Sequence, residues 1–228
     1  MGAAVAENIY GKYSIPTDLS HRHAVRLIKR GEVYEPNTIK FMREHARDGD
    51  IIHAGTFFGD FLPALSPAMA KGAKVWAFEP HPNSFDHASR TIELNALENV
   101  ELHNKAVSDK SDVLFFRTHK PDGEALGGKS FITEADGDGV EPVESIRLDE
   151  FVPLDRKISI LQLDVEGHER AALLGSMGLI ERWAPILILE NFEKPRWMKK
   201  NLGHMDYRVV GQRHRNFVYA TTDIEIED

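Results

Sequence analysis

ISILQLDVEGHERAALLGSMGLIERWAPILILEN, residues 158–191, holds two apolar runs, ISILQL (158–163) and ILILE (186–190), that do not alternate with polar residues. A strand with one wet face alternates and a strand covered on both faces does not, so these two read as central parallel strands. EGHERAALLGSMGLI between them reads as a crossover helix. Outward from this unit the pattern repeats. IIHA (51–54) and KVWAF (74–78) are short buried runs, and VELHN (100–104), DVLFFR (112–117) and VESIRL (143–148) read as further strands. Ile39, Met42 and Ala46 fall at helical spacing until Asp48-Gly49-Asp50 stops them, and Phe85, Ala88, Ile92 and Ala96 mark a second helical face. YRVVG (207–211) and NFVYAT (216–221), separated by QRHR, form a terminal antiparallel hairpin. The alternation predicts an α/β fold, a mostly parallel sheet with helices on both faces whose ligand lies beyond the carboxyl ends of the strands.

The 228 residues fit one large domain, expected over 34–228, with 1–33 as an N-terminal arm or lid. Lys and Arg number 28 against 36 Asp and Glu, a formal charge of −8, and no run of bases exceeds the two at Lys199-Lys200. That balance argues against a nucleic-acid partner, which normally meets a basic face. There is no cysteine, so disulfides, thiolate metal sites and cysteine nucleophiles are excluded. The apolar runs are far shorter than a membrane span, and the expected setting is soluble and cytoplasmic.

Four features carry chemistry. In HAGTFFGDF (53–61), Gly55 and Gly59 let backbone amides approach a ligand where a Cβ would clash. Glu79 stands at the end of the next strand, 20 residues after Gly59, where a carboxylate can grip both hydroxyls of an adenosine ribose. Asp164, Glu166, His168 and Glu169 crowd the mouth of the central strand around Gly167, more charge than helix capping needs. Glu190-Asn191 ends the neighbouring strand, and with Asp164 makes an all-oxygen set suited to Mg²⁺. The long segment 119–142, rich in Gly and Asp, has little pattern and is expected, with 1–33, to contact the substrate.

YEPNT (34–38), HAGTFFGDF, VWAFEPHPNSFDHASRTIELN (75–95), NKAVSD (104–109), SIRLDEF (145–151), LQLDVEGHERAALLG (161–175) and LILEN (187–191) follow in an order that resembles the FkbM-type family of S-adenosylmethionine-dependent methyltransferases. The resemblance implies a class I methyltransferase, Rossmann-like fold and O-methylation of a hydroxyl on a sugar or secondary metabolite. It places Gly55, Thr56 and Gly59 in the methionine-side loop, Glu79 on the ribose with Pro80 and His81 beside it, and Lys105-Ala106 near the adenine. The cofactor-facing set expected on this basis also takes in His53, Phe57, Asp60 and Asp164. One departure stands out: the family's first motif usually reads Asp-x-Gly-Ala-Asn-x-Gly, and here His53 replaces the acid and Phe57 the asparagine. Asp60 or Glu35 then supplies the carboxylate for the cofactor's amino group, or the site is degenerate. A cationic His53 there would weaken cofactor binding as pH falls through the histidine range near 6.5.

The expected partner is a small-molecule hydroxyl acceptor, with no membrane. Two mechanisms are open: His168, Asp164 or Glu166 takes the hydroxyl proton, or Mg²⁺ on Asp164, Glu190 and Asn191 lowers its pKa. Two other functions compete, a nicotinamide-dependent oxidoreductase and a cofactor-binding protein that has lost catalysis. The glycine spacing and terminal hairpin speak against the first, the crowded carboxylates against the second.

Overall fold

The structure is a computed structural model that describes residues 3–134 and 136–224; the ends of the two expected segments, 1–2 and 225–228, lie outside the described residues. The chain opens with β1 (Ala3–Asn8), β2 (Gly11–Pro16), α1 (His23–Lys29) and α2 (Pro36–His45). Next come β3 (Asp50–Ala54), α3 (Leu62–Leu65), β4 (Val75–Phe78), α4 (Pro82–Asn95) and β5 (Val100–His103). A middle group holds β6 (Ala106–Val107), β7 (Val113–Arg117), β8 (Phe131–Thr133), β9 (Val140–Ile146) and α5 (Leu148–Phe151). The last stretch is β10 (Ile158–Leu163), α6 (Glu169–Leu174), α7 (Met177–Trp183), β11 (Ile186–Glu190), α8 (Pro195–Leu202), β12 (Arg208–Arg213) and β13 (Asn216–Ala220).

Seven strands form the main sheet in the order β12-β13-β11-β10-β3-β4-β5. β5, β4, β3, β10 and β11 run parallel, and β13 lies antiparallel to both β11 and β12. From β3 the chain builds outward to β4 and β5 on one side, then returns to lay β10 and β11 on the other. The carboxyl ends of β3 and β10 are therefore the point where the strand order reverses, the place where such sheets bind ligands. Residues alternate between two cores: Ile52, Trp76, Phe78, Leu161 and Leu187 pack on one face, Ile51, Val75, Ala77, Ile160 and Ile188 on the other. Burial on both faces is what the unbroken apolar runs encode.

Two expected strands leave this sheet. DVLFFR and VESIRL become β7 and β9 of a separate sheet ordered β6-β9-β7-β8, in which β7 is antiparallel to β8 and β9. No crossover α-helix lies between them, and strands joined without one pair antiparallel. The expected crossover helix is broken into α6 and α7 at Gly175, because a Cβ there would stand 1.8 Å from the Ser108 carbonyl oxygen. The segment before residue 34 is folded onto the domain: Tyr13, Ile15, Leu19, Val25 and Ile28 form a buried cluster with Phe57 and Phe58 of the glycine loop.

Asp50, read from the sequence as part of a helix stop, opens β3 and is 2 % exposed. Its Oδ1 accepts from the Lys74 N–H at 2.8 Å and Arg156 Nη2 at 2.5 Å, and its Oδ2 from Trp76 Nε1 at 2.7 Å and Arg156 Nε at 2.8 Å. One carboxylate thus ties β3, β4 and the turn before β10 at the floor of the sheet. Removing it strands a buried indole N–H and a backbone N–H, so Asp50→Ala should lower stability by about 3 kcal/mol or more, with Asp50→Asn intermediate, in urea unfolding.

Candidate active site

The Asp164 N–H donates to the Ala54 carbonyl at 3.0 Å, which carries the β3–β10 ladder past the ends of both strands. Residue 55 then has no room for a side chain: a Cβ on Gly55 would lie 1.8 Å from the Asp164 carbonyl oxygen, and its φ is +85°. Gly55 and Thr56 donate to the Phe78 carbonyl at 2.9 and 3.2 Å, and Phe57, at φ +51°, turns the loop back over β4. The Phe57 N–H then meets Glu79 Oε2 at 2.8 Å, while the His81 N–H meets Oε1 at 2.9 Å. Asn104 Nδ2 steadies this corner by donating to the carbonyls of Glu79 and Pro80 at 2.8 and 3.0 Å. Glu79 is 6 % exposed. Burial pushes its carboxyl up to about 8 against the pull of the two amides.

Over these strand ends lies a cavity of about 670 Å³, within the size range of small-molecule sites. Gly55, Phe57, Asp60, Glu79, Pro80, Lys105, Ala106, Asp164, Glu166, His168 and Glu190 line it, as does His53. Three of the expected cofactor-facing residues do not. Thr56 is fully buried behind the loop, and Gly59, at φ +79°, gives room for the Ala88 Cα, 3.4 Å from where its Cβ would stand. His81 contributes its N–H, while its ring meets Phe116 edge-on at 6.4 Å, outside the cavity lining.

Two members of the metal set read from the sequence, Asp164 and Glu190, meet a third carboxylate. Oxygens of Asp164, Glu166 and Glu190 lie within 4.8 Å of one another, and these three are the group among the described residues that could hold a cation. Asn191 turns away at φ +48°, its N–H donating to the Arg215 carbonyl at 3.0 Å. Burial, then a hydrogen bond to Glu190 and its charge, holds the Asp164 carboxyl well above its ordinary range. Glu166, at φ +49°, is pushed up to about 7 by burial and by Glu190, with Lys129 opposing. Asp60 rises to about 8 through burial and the charge of Glu35. Glu35, itself raised by burial, accepts from Asn216 Nδ2 at 2.7 Å. Both carboxylates expected to replace the missing motif acid therefore face the cavity.

His53 is stacked on Phe61 at 5.1 Å, and its Nδ1 bonds Gln162 Oε1. That oxygen only accepts, so Nδ1 carries the proton and Nε2 presents a lone pair, buried and without a partner. Burial pushes the imidazole down to about 4. This corrects the expected pH effect, since His53 is neutral from pH 5.5 to 8 and cannot titrate near 6.5. His168 shares a 2.9 Å contact between Nε2 and Ser108 Oγ and is lowered by burial, with Asp109 opposing.

Several lining residues carried no sequence signal. Gln162 is hidden in an apolar strand. His21, Arg22, His23 and Arg26 come from the start of α1, Lys129 from the turn Gly127–Lys129, and His214 and Arg215 from the β12–β13 turn. Each segment is unremarkable alone, and only folding brings them over the crevice.

The profile of the methyltransferase FkbM domain matches residues 46–219. The chain belongs to the FkbM methyltransferase family. The strand order, with antiparallel β13 set between β11 and β12, is the class I methyltransferase fold that the sequence resemblance implied. A crystal structure of the methyltransferase FkbM from Methylobacillus flagellatus KT superposes with a TM-score of 0.52 at 17 % identity, over 76 % of this chain and 43 % of that one. Hexuronic acid methyltransferase AglP of Haloferax volcanii is 25 % identical over 150 residues, 64 % of this chain and 58 % of the relative. The chain thus spans little more than half the length of that curated relative. No helix among the described residues of this FkbM-family chain is long and apolar enough to cross a membrane.

The raised carboxyls make stability depend on pH. A carboxyl whose folded pKa lies above its unfolded value stabilises fully below the unfolded value, and that contribution is lost as pH rises through the folded one. Asp60 and Glu79, near 8, and Glu166, near 7, lose this contribution between the unfolded carboxyl range near 4 and those folded values, and above pH 6.5 depressed histidines such as His53 are neutral in both states. The melting temperature should therefore fall from pH 6.5 to 8, as each fully buried carboxyl withdraws up to about 1.4 kcal/mol of stability per pH unit, and level off above that. Asp60→Asn should flatten the slope; an unchanged slope in that variant would show that Asp60 is ionised throughout.

Proposed function

We propose that this chain is an S-adenosylmethionine-dependent methyltransferase that O-methylates a hydroxyl of a sugar or small secondary metabolite. The observation that carries the cofactor assignment is Glu79, a buried carboxylate presented to the cavity by the Phe57 and His81 amides with lone pairs to spare for ribose hydroxyls. Gly55 and the loop after it would take the methionine side, and Lys105-Ala106 the adenine side. The unpartnered acceptor of His53 and the carboxylates of Asp60 and Glu35 suit a cationic amino group. Bound there, S-adenosylmethionine supplies a methyl group activated by its sulfonium.

The chain's own task is to orient the acceptor and remove its proton. The carboxylates of Asp164, Glu166 and Glu190 converge within 4.8 Å of one another, so one of them can receive the hydroxyl proton as the new C–O bond forms. His168 is the weaker base, being lowered by burial and engaged with Ser108. A second reading, Mg²⁺ on the same three carboxylates, rests on their convergence. A sugar acceptor is favoured by the relative named for a hexuronic acid. Membership of a methyltransferase family sets aside the nicotinamide reading.

Calorimetry with S-adenosylhomocysteine tests the cofactor half. The wild-type chain should bind it, and Glu79→Ala should weaken binding by about 1.5–3 kcal/mol with the fold intact. Wild-type affinity in that variant would remove the ribose assignment. For the chemical step, Asp164→Asn should cost on the order of 10²–10⁴-fold in turnover and His168→Ala less. Loss of turnover on adding a chelator would select the Mg²⁺ reading, whereas cofactor binding without transfer to any hydroxyl acceptor would mark a degenerate site.

A further inference from the structure

The cavity is divided by sign. Its carboxylates sit on the strand ends, on the loops that leave them and at the start of α2, whereas Arg22, Arg26 and Lys129 come from the start of α1 and the turn Gly127–Lys129, and Arg215 comes from the β12–β13 turn beside Glu190. A positively charged cofactor over the carboxylate floor accounts for the first set and leaves the second unexplained. Lys105, a lining cation beside the floor, is already tied to Glu144. Arg26, Lys129 and Arg215 have no side-chain hydrogen bond or ion pair among the described residues.

Arg22 is the most telling of the group. Its Nη2 donates to the Leu126 carbonyl, which fastens the start of α1 to the turn that carries Lys129. Its Nε is buried without a partner. Burial lowers the guanidinium from its ordinary value, and Glu124 and Glu166 reach it only through space. A guanidinium that has lost water and still has an N–H free is under-compensated, and the ligand that compensates it is an anion with oxygen acceptors. Lys129 acts on the same Glu166, so both charges bear on the carboxylates assigned to proton removal.

We infer that the acceptor is anionic and that its carboxylate or phosphate is held between Arg22 and Lys129, with Arg26 and Arg215 at the mouth. This rests on the methyltransferase reading above. The arrangement turns the acceptor so that one end is clamped on the cationic wall while a hydroxyl reaches Asp164, Glu166 and Glu190 across the crevice.

The test uses the full chain saturated with S-adenosylhomocysteine and three calorimetric probes: D-glucuronate, glucose 6-phosphate and glucose. Glucuronate or glucose 6-phosphate should bind at least about tenfold tighter than glucose, and which of them does so separates carboxylate from phosphate. Lys129→Glu should weaken that binding by about tenfold or more and leave S-adenosylhomocysteine affinity unchanged, as should Arg22→Gln. Lys129 is exposed and unbonded, so its variant reports even where the Arg22 variant fails to fold. Failure of both anions to bind, or equal binding of glucose, overturns the inference. So does weaker S-adenosylhomocysteine binding in either variant, which would assign the cations to the cofactor's own carboxylate. A wild-type chain that binds no S-adenosylhomocysteine fails the methyltransferase reading instead, and the anion titration repeated without it still reports on the cationic wall.

Discussion

The backbone of Asp164 occupies the space that a side chain on residue 55 would need, and the site depends on that contact. Gly55 is there because the Asp164 carbonyl stands 1.8 Å from the position of its missing Cβ. Two loops that leave neighbouring parallel strands would ordinarily splay to make room for side chains. Here they touch, which brings the turn that supports Glu79 and the acidic turn of Asp164 and Glu166 onto one cavity floor. A substitution at 55 would therefore push the Asp164 turn away from the loop that supports Glu79 and separate the proposed proton-accepting group from the cofactor-binding one.

The cavity floor holds its charge in an economical form. Asp60, Glu79, Asp164 and Glu166 are all raised by burial, so at neutral pH the site is a set of partly protonated acids rather than a wall of full negative charge. Such a set accepts a cationic ligand without repelling itself apart in its absence, and it can take up a proton with little reorganisation. Water exclusion does both jobs, since the same burial that raises these carboxyls strengthens every contact they make with a ligand. Neutral His53 fits the pattern: in place of a further acid it offers an acceptor with no charge to bury.

Legibility in the sequence followed sequence distance. β3, β4, β10 and β11 could be read because burial on both faces writes an unbroken apolar run into the chain. Gly55, Glu79 and the Asp164–Glu169 cluster could be read because glycine spacing and crowded charge are local. Asp50 looked like a helix stop, and its role as a four-bond clamp appears only when Trp76 and Arg156 arrive from other strands. Asn191 was placed beside Asp164 on strand position alone and does not line the cavity, whereas Glu166, at φ +49°, brings its carboxylate within 4.8 Å of those of Asp164 and Glu190.

By itself the sequence determined the sheet, its central strands, the reversal point where a ligand sits and the carboxylates on its floor, because each is encoded by periodicity or by neighbours a few residues apart. The tertiary structure alone decided the cationic wall. Arg22, Lys129 and Arg215 lie in three segments with no shared pattern, and the contact between Arg22 and the Leu126 carbonyl spans 104 residues. Where Arg22 stands is set by how β2 and α1 pack on Phe57 and Phe58. That is a matter of shape complementarity between distant surfaces, which local composition does not record.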